Sequence, residues 1–142
     1  MQLAEAFEWQ GRIFLHAYSK TTAGFSVLSQ PILGADPRDP QEVGRAILLA
    51  LAGSKEGVPL PSIWDDVSAP LIKFAGAKSR SAFYSYARCV RIRCQGDGVT
   101  FTPMRHLGGR KGYEPLKGKD RSSLPDSADL GSTLLSALQD AE

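Results

Sequence analysis

The side chains best suited to acid–base or nucleophilic chemistry are few in this chain, which holds two histidines and two cysteines among its 142 residues. Neither His16 nor His106 has another histidine or a cysteine at the spacing of a zinc or iron site. An acid and base pair for RNA cleavage can be drawn from them, but no pattern supports it. His16 lies in a strand-like run, where an imidazole is usually structural, whereas His106 lies in a basic loop that could contact a partner. The sequence predicts no metal site.

The two cysteines, Cys89 and Cys94, lie in one predicted strand. At about 3.3 Å per residue their Cα atoms would be about 16 Å apart, too far for a disulfide. We therefore expect free thiols, buried or half-buried, in a reducing compartment. Cys94 and His106 could be drawn as a nucleophile and its base, but Cys94 belongs to the apolar face of its strand, where thiols are typically inert. The sequence predicts no catalytic residue, no cofactor, no small-molecule substrate and no enzyme activity.

A glycine-rich basic loop, residues 108–112 (GGRKG), invites comparison with phosphate-binding loops. It lacks their spacing, and no strand-to-helix context surrounds it. A mobile, solvated loop is the first interpretation. Contact with phosphates or with an acidic partner is the alternative.

Trp64 is followed by the acidic pair Asp65 and Asp66 in a loop bounded by prolines. One interpretation is a surface loop whose tryptophan packs into the core. The other is an aromatic anchor flanked by charges that meet a basic partner.

The net charge of +2 conceals a marked asymmetry. Residues 71–121 carry twelve basic side chains and three acidic ones, a net charge of +9, so the other residues together carry −7. Such segregation can mark a nucleic-acid surface. It can equally mean that the two parts are neighbours in the fold and neutralise each other.

The elements that would position these residues alternate between hairpins and helices. Residues 12–18 and 25–28 are predicted to form a hairpin. A helix is predicted to begin at Pro40, with Asp39 as its N-cap, Glu42 in its first turn and Gly53 after its end. Residues 70–76 indicate a helical turn.

The second half of the chain repeats this alternation. Ser79 is predicted to cap a short helix, and residues 89–102 form the clearest hairpin, ended by Pro103. Val90, Ile92 and Cys94 face one side of it, and Arg91 and Arg93 face the other. Residues 104–119 are predicted to be an exposed loop with one short edge strand near Tyr113. Residues 126–129 would then cap a last helix.

The two long helices resemble each other at a constant offset of 87 residues. Asp39, Glu42, Val43, Gly44, Ile47, Leu48, Ala50 and Leu51 align with Asp126, Asp129, Leu130, Gly131, Leu134, Leu135, Ala137 and Leu138. The alignment allows a weak internal duplication of a strand–strand–helix unit, or else two similar helix starts. In both cases we expect an α+β fold: one domain over residues 1–142, a sandwich of antiparallel sheet and helices with the sheet covered on one face.

No stretch approaches the about 18 consecutive apolar residues of a membrane helix. The first eight residues, MQLAEAFE, carry two acids and no basic region, unlike a secretory signal. We therefore expect a cytoplasmic protein without a membrane partner.

Three stretches together resemble the immunity proteins of bacterial contact-dependent growth inhibition (CDI) systems, the CdiI family. They are residues 70–83 (PLIKFAGAKSRSAF) with the hairpin that follows to Pro103, residues 128–138 (ADLGSTLLSAL), and residues 22–51, with Gln30-Pro31 and Glu42-Val43-Gly44. The resemblance covers most of residues 12–139. One departure is Arg80, where the family pattern leads us to expect a tryptophan.

The resemblance implies a small cytoplasmic partner that binds the C-terminal toxin domain of a large exoprotein, often a nuclease, and blocks its active site or substrate path. Toxin and immunity protein are then normally encoded together. Trp64, Asp65 and Asp66 are our predicted toxin-binding residues, on charge complementarity with a basic nuclease face. The alternative function is a small nucleic-acid-binding module that uses the basic segment 71–121, with Arg91 and Arg93 on an outward strand face.

Overall fold

The computed structural model describes the backbone of residues 1–142 and every side chain except that of Asp65. Its strands are β1 (Gln2–Trp9), β2 (Arg12–Lys20), β3 (Ser26–Ala35), β4 (Arg88–Gln95), β5 (Gly98–His106), β6 (Tyr113–Pro115) and β7 (Arg121–Ser123). Its helices are α1 (Pro40–Ala52), α2 (Ala69–Ala75), α3 (Arg80–Tyr84) and α4 (Leu130–Asp140), with one 3₁₀ turn at Trp64–Asp66.

The strands form one antiparallel sheet of seven strands in the order β3-β2-β1-β4-β5-β6, with β7 also paired to β5. The α+β class predicted from the sequence is confirmed. The strand β1 lies at the centre, between β2 and β4, and was not predicted. Its apolar residues are mixed with Glu5 and Glu8, so the stretch lacks the plain alternation of a half-buried strand.

The first face of the sheet is covered by α1 and α4. Ala4 and Ala6 of β1 lie on this face, with Leu15 of β2 and Ile92 of β4 beside them. The apolar sides of both helices close the cluster through Val43, Ile47, Leu51, Leu134 and Leu138. The small alanines at the centre allow two helices to pack side by side against the sheet.

The second face is covered over part of its area, contrary to the expectation of a sheet covered on one face only. Phe7, Trp9 and Phe14 form a second apolar cluster with Phe83 of α3 and Leu71 of α2. Their rings meet mostly edge to face, with Phe7 and Phe83 centred 5.5 Å apart. The predicted helical turn at residues 70–76 is the helix α2, which ends at the left-handed Gly76.

The predicted ends of α1 are confirmed. Asp39 accepts a hydrogen bond from the Glu42 backbone N–H at 3.1 Å, and Gly53 follows the last turn. Ser79 likewise caps α3 by accepting from the Ala82 N–H at 3.0 Å. The start of α4 differs, since the Asp129 side chain makes no capping bond there.

Pro103 does not end β5, which continues to His106. The Pro103 carbonyl oxygen accepts from the Leu116 N–H at 2.9 Å, so its backbone polar groups point away from β4. Because β7 pairs with β5 up to Phe101 and β6 pairs from Met104, Pro103 lies between these two pairings. A proline there removes no hydrogen bond of the ladder. The short edge strand near Tyr113 is confirmed as β6, whereas β7 was not predicted.

The chain path favours similar helix starts over an internal duplication. β2 and β4 flank β1 and run in the same direction, while β3 and β5 lie on opposite outer sides. Both α1 and α4 cover the same face. The units β2-β3-α1 and β4-β5-α4 therefore have opposite hands, and no rotation superposes them. The aligned glycines Gly44 and Gly131 meet where the two helices pack against each other.

We predict that Gly131→Ala destabilises the fold while Gly44→Ala does not. A Cβ on Gly131 would lie 1.9 Å from the Pro40 carbonyl oxygen, whereas one on Gly44 would come no closer than 3.5 Å to the Gly131 nitrogen. We expect Gly131→Ala to lower the free energy of unfolding by about 1–3 kcal/mol or more. Gly44→Ala should leave it unchanged or raise it by up to about 1 kcal/mol. Urea unfolding followed by circular dichroism measures both, and equal effects would contradict the close approach.

Candidate functional site: an aromatic patch and a polar cleft

An exposed aromatic pair marks the loop that the sequence singled out. Trp64 is 50% exposed and Phe25 is 60% exposed. Their rings meet edge to face with centroids 6.1 Å apart. Leu60 and Ile63, at 47% and 60% exposed, lie in the same loop as Trp64. We call Phe25, Leu60, Ile63 and Trp64 the aromatic patch.

The structure thus answers one question left open by the sequence: Trp64 does not pack into the core. Asp66 is exposed two residues further along the 3₁₀ turn. The side chain of Asp65 lies outside the described part of the structure. The turn forms because Trp64 donates no side-chain cap and the Val67 N–H bonds back to the Trp64 carbonyl oxygen at 3.2 Å. Phe25 reaches the patch from the loop between β2 and β3.

A cleft of about 220 Å³ opens beside Trp64, between the second face of the sheet and the chain that precedes α2. Its walls combine apolar and polar side chains, among them Tyr18, Leu28, Ser68, Arg80 and Tyr84. Ser68 is buried, and its hydroxyl lies near the Tyr84 side chain without a well-formed hydrogen bond. The Arg80 guanidinium lies 5.9 Å from the centre of the Tyr84 ring. The residue that departs from the family pattern therefore contributes to this wall.

The floor of the cleft is a buried ionic network of Glu5, His16 and Arg91, from the adjacent strands β1, β2 and β4. Glu5 faces His16 on one side and Arg91 on the other in the sheet register. Glu5 Oε1 lies 3.3 Å from His16 Nε2, and Arg91 Nε donates to Glu5 Oε2 at 3.2 Å. The Arg91 guanidinium also lies 5.9 Å from the centre of the Tyr18 ring.

The hydrogen bonds of His16 leave neither ring nitrogen free. Nδ1 lies 2.7 Å from the Ala17 carbonyl oxygen, which can only accept, so Nδ1 carries a hydrogen. The contact between Nε2 and Glu5 then requires one proton shared by the imidazole and the carboxyl group. His16 is a partnered structural residue, as its position in a strand predicts.

Burial alone would raise the pKa of Glu5, but the hydrogen bond and charge of His16 and the charge of Arg91 outweigh it and lower the pKa. Burial and the nearby Glu5 charge act together on the neighbouring phenols and thiol. They raise the pKa of Tyr84 to about 12, raise that of Tyr18 further, and raise that of Cys89 well above its usual value. These three groups stay neutral at physiological pH.

This arrangement does not assemble a nucleophile with a free base among the described side chains. The Cys89 thiol is buried and protonated, 3.9 Å from a Glu5 oxygen that already accepts from Arg91. Cys94 is half-buried against the first core cluster, as its strand face predicts. His106 accepts from the Gly108 N–H at 3.2 Å and packs against the Tyr113 ring. Within the same described part, no three histidine, cysteine, aspartate or glutamate residues are grouped to hold a metal ion.

The basic segment is partly neutralised within the fold, as one of the two explanations of the charge asymmetry predicts. Arg91 pairs with Glu5 and Arg121 with Asp140 at 3.0 Å, both across the boundaries of the segment. Arg105 pairs with Glu114 inside it. Arg93 makes no ion pair or hydrogen bond through its side chain among the described residues.

Sequence reasoning missed Glu5 and Phe25. Glu5 became a functional candidate only when β1 was seen as the central strand, because a carboxylate in a strand with two buried faces must have partners. A signal was present, since Glu5 interrupts an otherwise apolar run of Leu3 to Phe7. Phe25 gave no comparable signal, because the contact with Trp64 is made between distant parts of the chain.

The described helices include none that is long and apolar enough to cross a membrane. An α+β domain with an aromatic patch beside a polar cleft, and with its buried charges already partnered, has the features of a protein that binds another macromolecule.

The sequence model of one family, the CDI immunity proteins (CdiI), matches residues 21–141. The chain belongs to this family. No curated protein matches it.

Two solved structures share its fold. A protein of unknown function, NMB0488, from Neisseria meningitidis superposes with a TM-score of 0.81 at 20% sequence identity, covering 99% of this chain and 95% of that one. A chain of the CdiA-CT/CdiI toxin and immunity complex from Yersinia pseudotuberculosis superposes with a TM-score of 0.79 at 18% identity, covering 99% and 97%. At such identities the likeness establishes the fold alone.

We predict that Glu5→Gln lowers the free energy of unfolding at pH 7 by about 1.5–3 kcal/mol, because charged hydrogen bonds to His16 and Arg91 are lost. The pKa of Glu5 is lowered by folding from its ordinary value of 4.5. Its ionised form therefore stabilises the fold fully above about pH 4.5, and this contribution is lost as pH falls through the lowered pKa. The difference between wild type and Glu5→Gln should shrink between pH 7 and pH 3 in urea unfolding.

Glu8→Gln is the matched control, because Glu8 lies in the same strand and makes no ion pair within the described structure. It should leave stability and its pH dependence nearly unchanged. A difference between wild type and Glu5→Gln that is constant with pH would contradict the network.

Proposed function

We propose that this protein is an immunity protein that binds the C-terminal toxin domain of its cognate CDI exoprotein in the cytoplasm and neutralises it. The observation that carries the proposal is the match to the CDI immunity family across residues 21–141. The fold supports it, because a chain of a CDI toxin and immunity complex has the same fold over nearly its whole length. The free thiols of Cys89 and Cys94 fit a reducing compartment.

The aromatic patch is our proposed centre of the toxin contact, with Trp64, Asp65 and Asp66 as binding residues. Aromatic side chains that are exposed in the free protein and buried in a complex contribute a large share of binding energy. Trp64 and Phe25 are well suited because each ring already constrains the other, so less conformational entropy is lost on binding. The acidic side chains beside Trp64 would meet basic residues at the rim, where charges favour fast and selective association.

Neutralisation on this proposal needs no reaction. The immunity protein covers the active site of the toxin or the path of its substrate, and inhibition lasts as long as the complex does. We propose that the toxin is a nuclease, because a nuclease presents a basic substrate surface that an acidic loop complements. The polar cleft beside Trp64 could receive a side chain that projects from the toxin, which would add selectivity for the cognate partner.

The test is to co-express this chain with the toxin domain encoded beside it, purify the complex, and measure toxicity and nucleic-acid cleavage with and without the chain. We expect a stable one-to-one complex that abolishes both. A toxin that remains active in the presence of excess immunity protein would contradict neutralisation. An active toxin that leaves RNA and DNA intact would contradict only its assignment as a nuclease.

We predict that Trp64→Ala weakens toxin binding by about thirtyfold or more, the loss expected of an aromatic anchor. Tyr86→Ala is the matched control, since Tyr86 is 79% exposed, lies just beyond α3 and does not line the cleft beside Trp64. It should change the dissociation constant by less than about threefold. Isothermal titration calorimetry measures both, and thermal melting verifies that the variants fold. Equal affinities would place the contact elsewhere.

A further inference from the structure

Part of the second sheet face is left open by α2 and α3. Two rows of side chains cross the strands there, set by the pairing register. The inner row contains His16, Glu5, Arg91 and Thr102, and the outer row contains Tyr18, Leu3, Arg93, Thr100 and Ser122. Every member of the outer row is exposed or half-exposed, whereas the covered apolar cluster begins one row further in. We call the outer row together with Arg91 the open face.

The charge of the open face is positive. Glu5 is its one acidic neighbour in these rows, and both of its oxygens are already engaged by His16 and Arg91. Arg93 is exposed, and among the described residues its side chain makes neither an ion pair nor a hydrogen bond. Lys20 lies on the same side of β2 as Tyr18. No carboxylate on these strands is therefore left to neutralise Arg93.

We propose that the open face binds an acidic segment of the toxin domain, with Arg93 as the residue that pairs with a toxin carboxylate. This inference rests on the proposed function and adds the chemistry of a second contact region. A guanidinium presents a planar fork of donors that matches a carboxylate. The hydroxyl groups of Thr100 and Ser122 beside Arg93 offer further hydrogen bonds to the same segment.

Arg91 prepares this surface. Its pairing with Glu5 holds the guanidinium in place beside the Tyr18 ring, so that the side chain does not have to be ordered on binding. Tyr18 belongs to the outer row and also lines the cleft beside Trp64. The open face is therefore continuous with the cleft and the aromatic patch, and one partner can contact all three.

A carboxylate-bearing protein segment fits the open face better than a nucleic acid. Single-stranded nucleic acids bind to sheets through exposed aromatic rings on which bases stack. Tyr18 is the only aromatic residue of the two rows, and the Arg91 guanidinium lies over it. With one unpaired arginine and one nearby lysine, the face also lacks the run of phosphate contacts that strong binding needs.

The experiment compares wild type with Arg93→Glu and Arg93→Gln in binding to the cognate toxin domain, measured by calorimetry at about 0.05 and 0.5 M NaCl. We expect Arg93→Glu to weaken binding at low salt by about tenfold or more and Arg93→Gln to weaken it less, with both differences shrinking at high salt. Arg45→Glu is the control, because Arg45 is exposed on α1, on the opposite side of the sheet. It should leave affinity within about threefold of wild type.

A scan of toxin Asp and Glu residues, each changed to Arg, should yield one variant that restores binding to Arg93→Glu. Equal affinity of wild type and Arg93→Glu, with Trp64→Ala still weakened, would overturn this inference and leave the proposed function intact. Binding of a 20-nucleotide RNA or DNA probe that Arg93→Glu abolishes, with toxin binding unchanged, would also overturn it. If wild type binds no toxin, the proposed function itself fails.

Discussion

The central strand β1 has to bury both of its faces, and the arrangement of the molecule follows from that constraint. One face carries the small residues Ala4 and Ala6, over which α1 and α4 pack side by side. The other carries Glu5, Phe7 and Trp9 in succession, which demand different surroundings. The aromatic residues attract α2 and α3, whereas the carboxylate requires hydrogen-bond donors and cannot be covered by apolar side chains. The second face is therefore divided into a covered apolar part and an open polar part.

The ionic network at Glu5 lies at the boundary between these two parts. Each neighbouring strand supplies one partner, His16 from β2 and Arg91 from β4. Buried ion pairs contribute less to stability than their geometry suggests, because desolvation offsets much of the attraction. Their larger effect here is on position, since the network orders Arg91 beside Tyr18 and keeps α3 from extending over the outer row. A tight inhibitor benefits from such a surface, because side chains ordered before binding lose little entropy in the complex.

The site that results is divided by chemistry. The aromatic patch supplies apolar area on one side of the cleft, and the open face supplies positive charge on the other. An immunity protein must discriminate its own toxin from related ones, and unlike surfaces placed side by side exclude partners that complement only one of them. Variation confined to such exposed residues could change the partner without disturbing either core cluster.

Much of the fold could be predicted from local sequence because the signals are local. Asp39, Pro40 and Gly53 determine the ends of α1 through contacts within a few residues. The hairpin of β4 and β5 follows from alternation and a glycine turn. The membership in the CDI immunity family was also present in the sequence, as three stretches whose patterns agree. Trp64 was recognised as a candidate anchor because a large aromatic residue in a proline-bounded loop is unusual.

Other features were decided only by tertiary structure, because they depend on which distant segments become neighbours. β1 has no clear alternation, and its identity as the central strand comes from pairing with β2 on one side and β4 on the other. Pro103 continues a strand only because β6 and β7 leave a gap opposite it. Whether Trp64 packed inward or outward, and whether Arg93 found an acidic partner, could not be read from neighbours in the chain. The sequence by itself determined the helix ends, the hairpins and the family, since these rest on short-range hydrogen bonding and patterning, while the folded chain decided which charges are paired and which surface stays open.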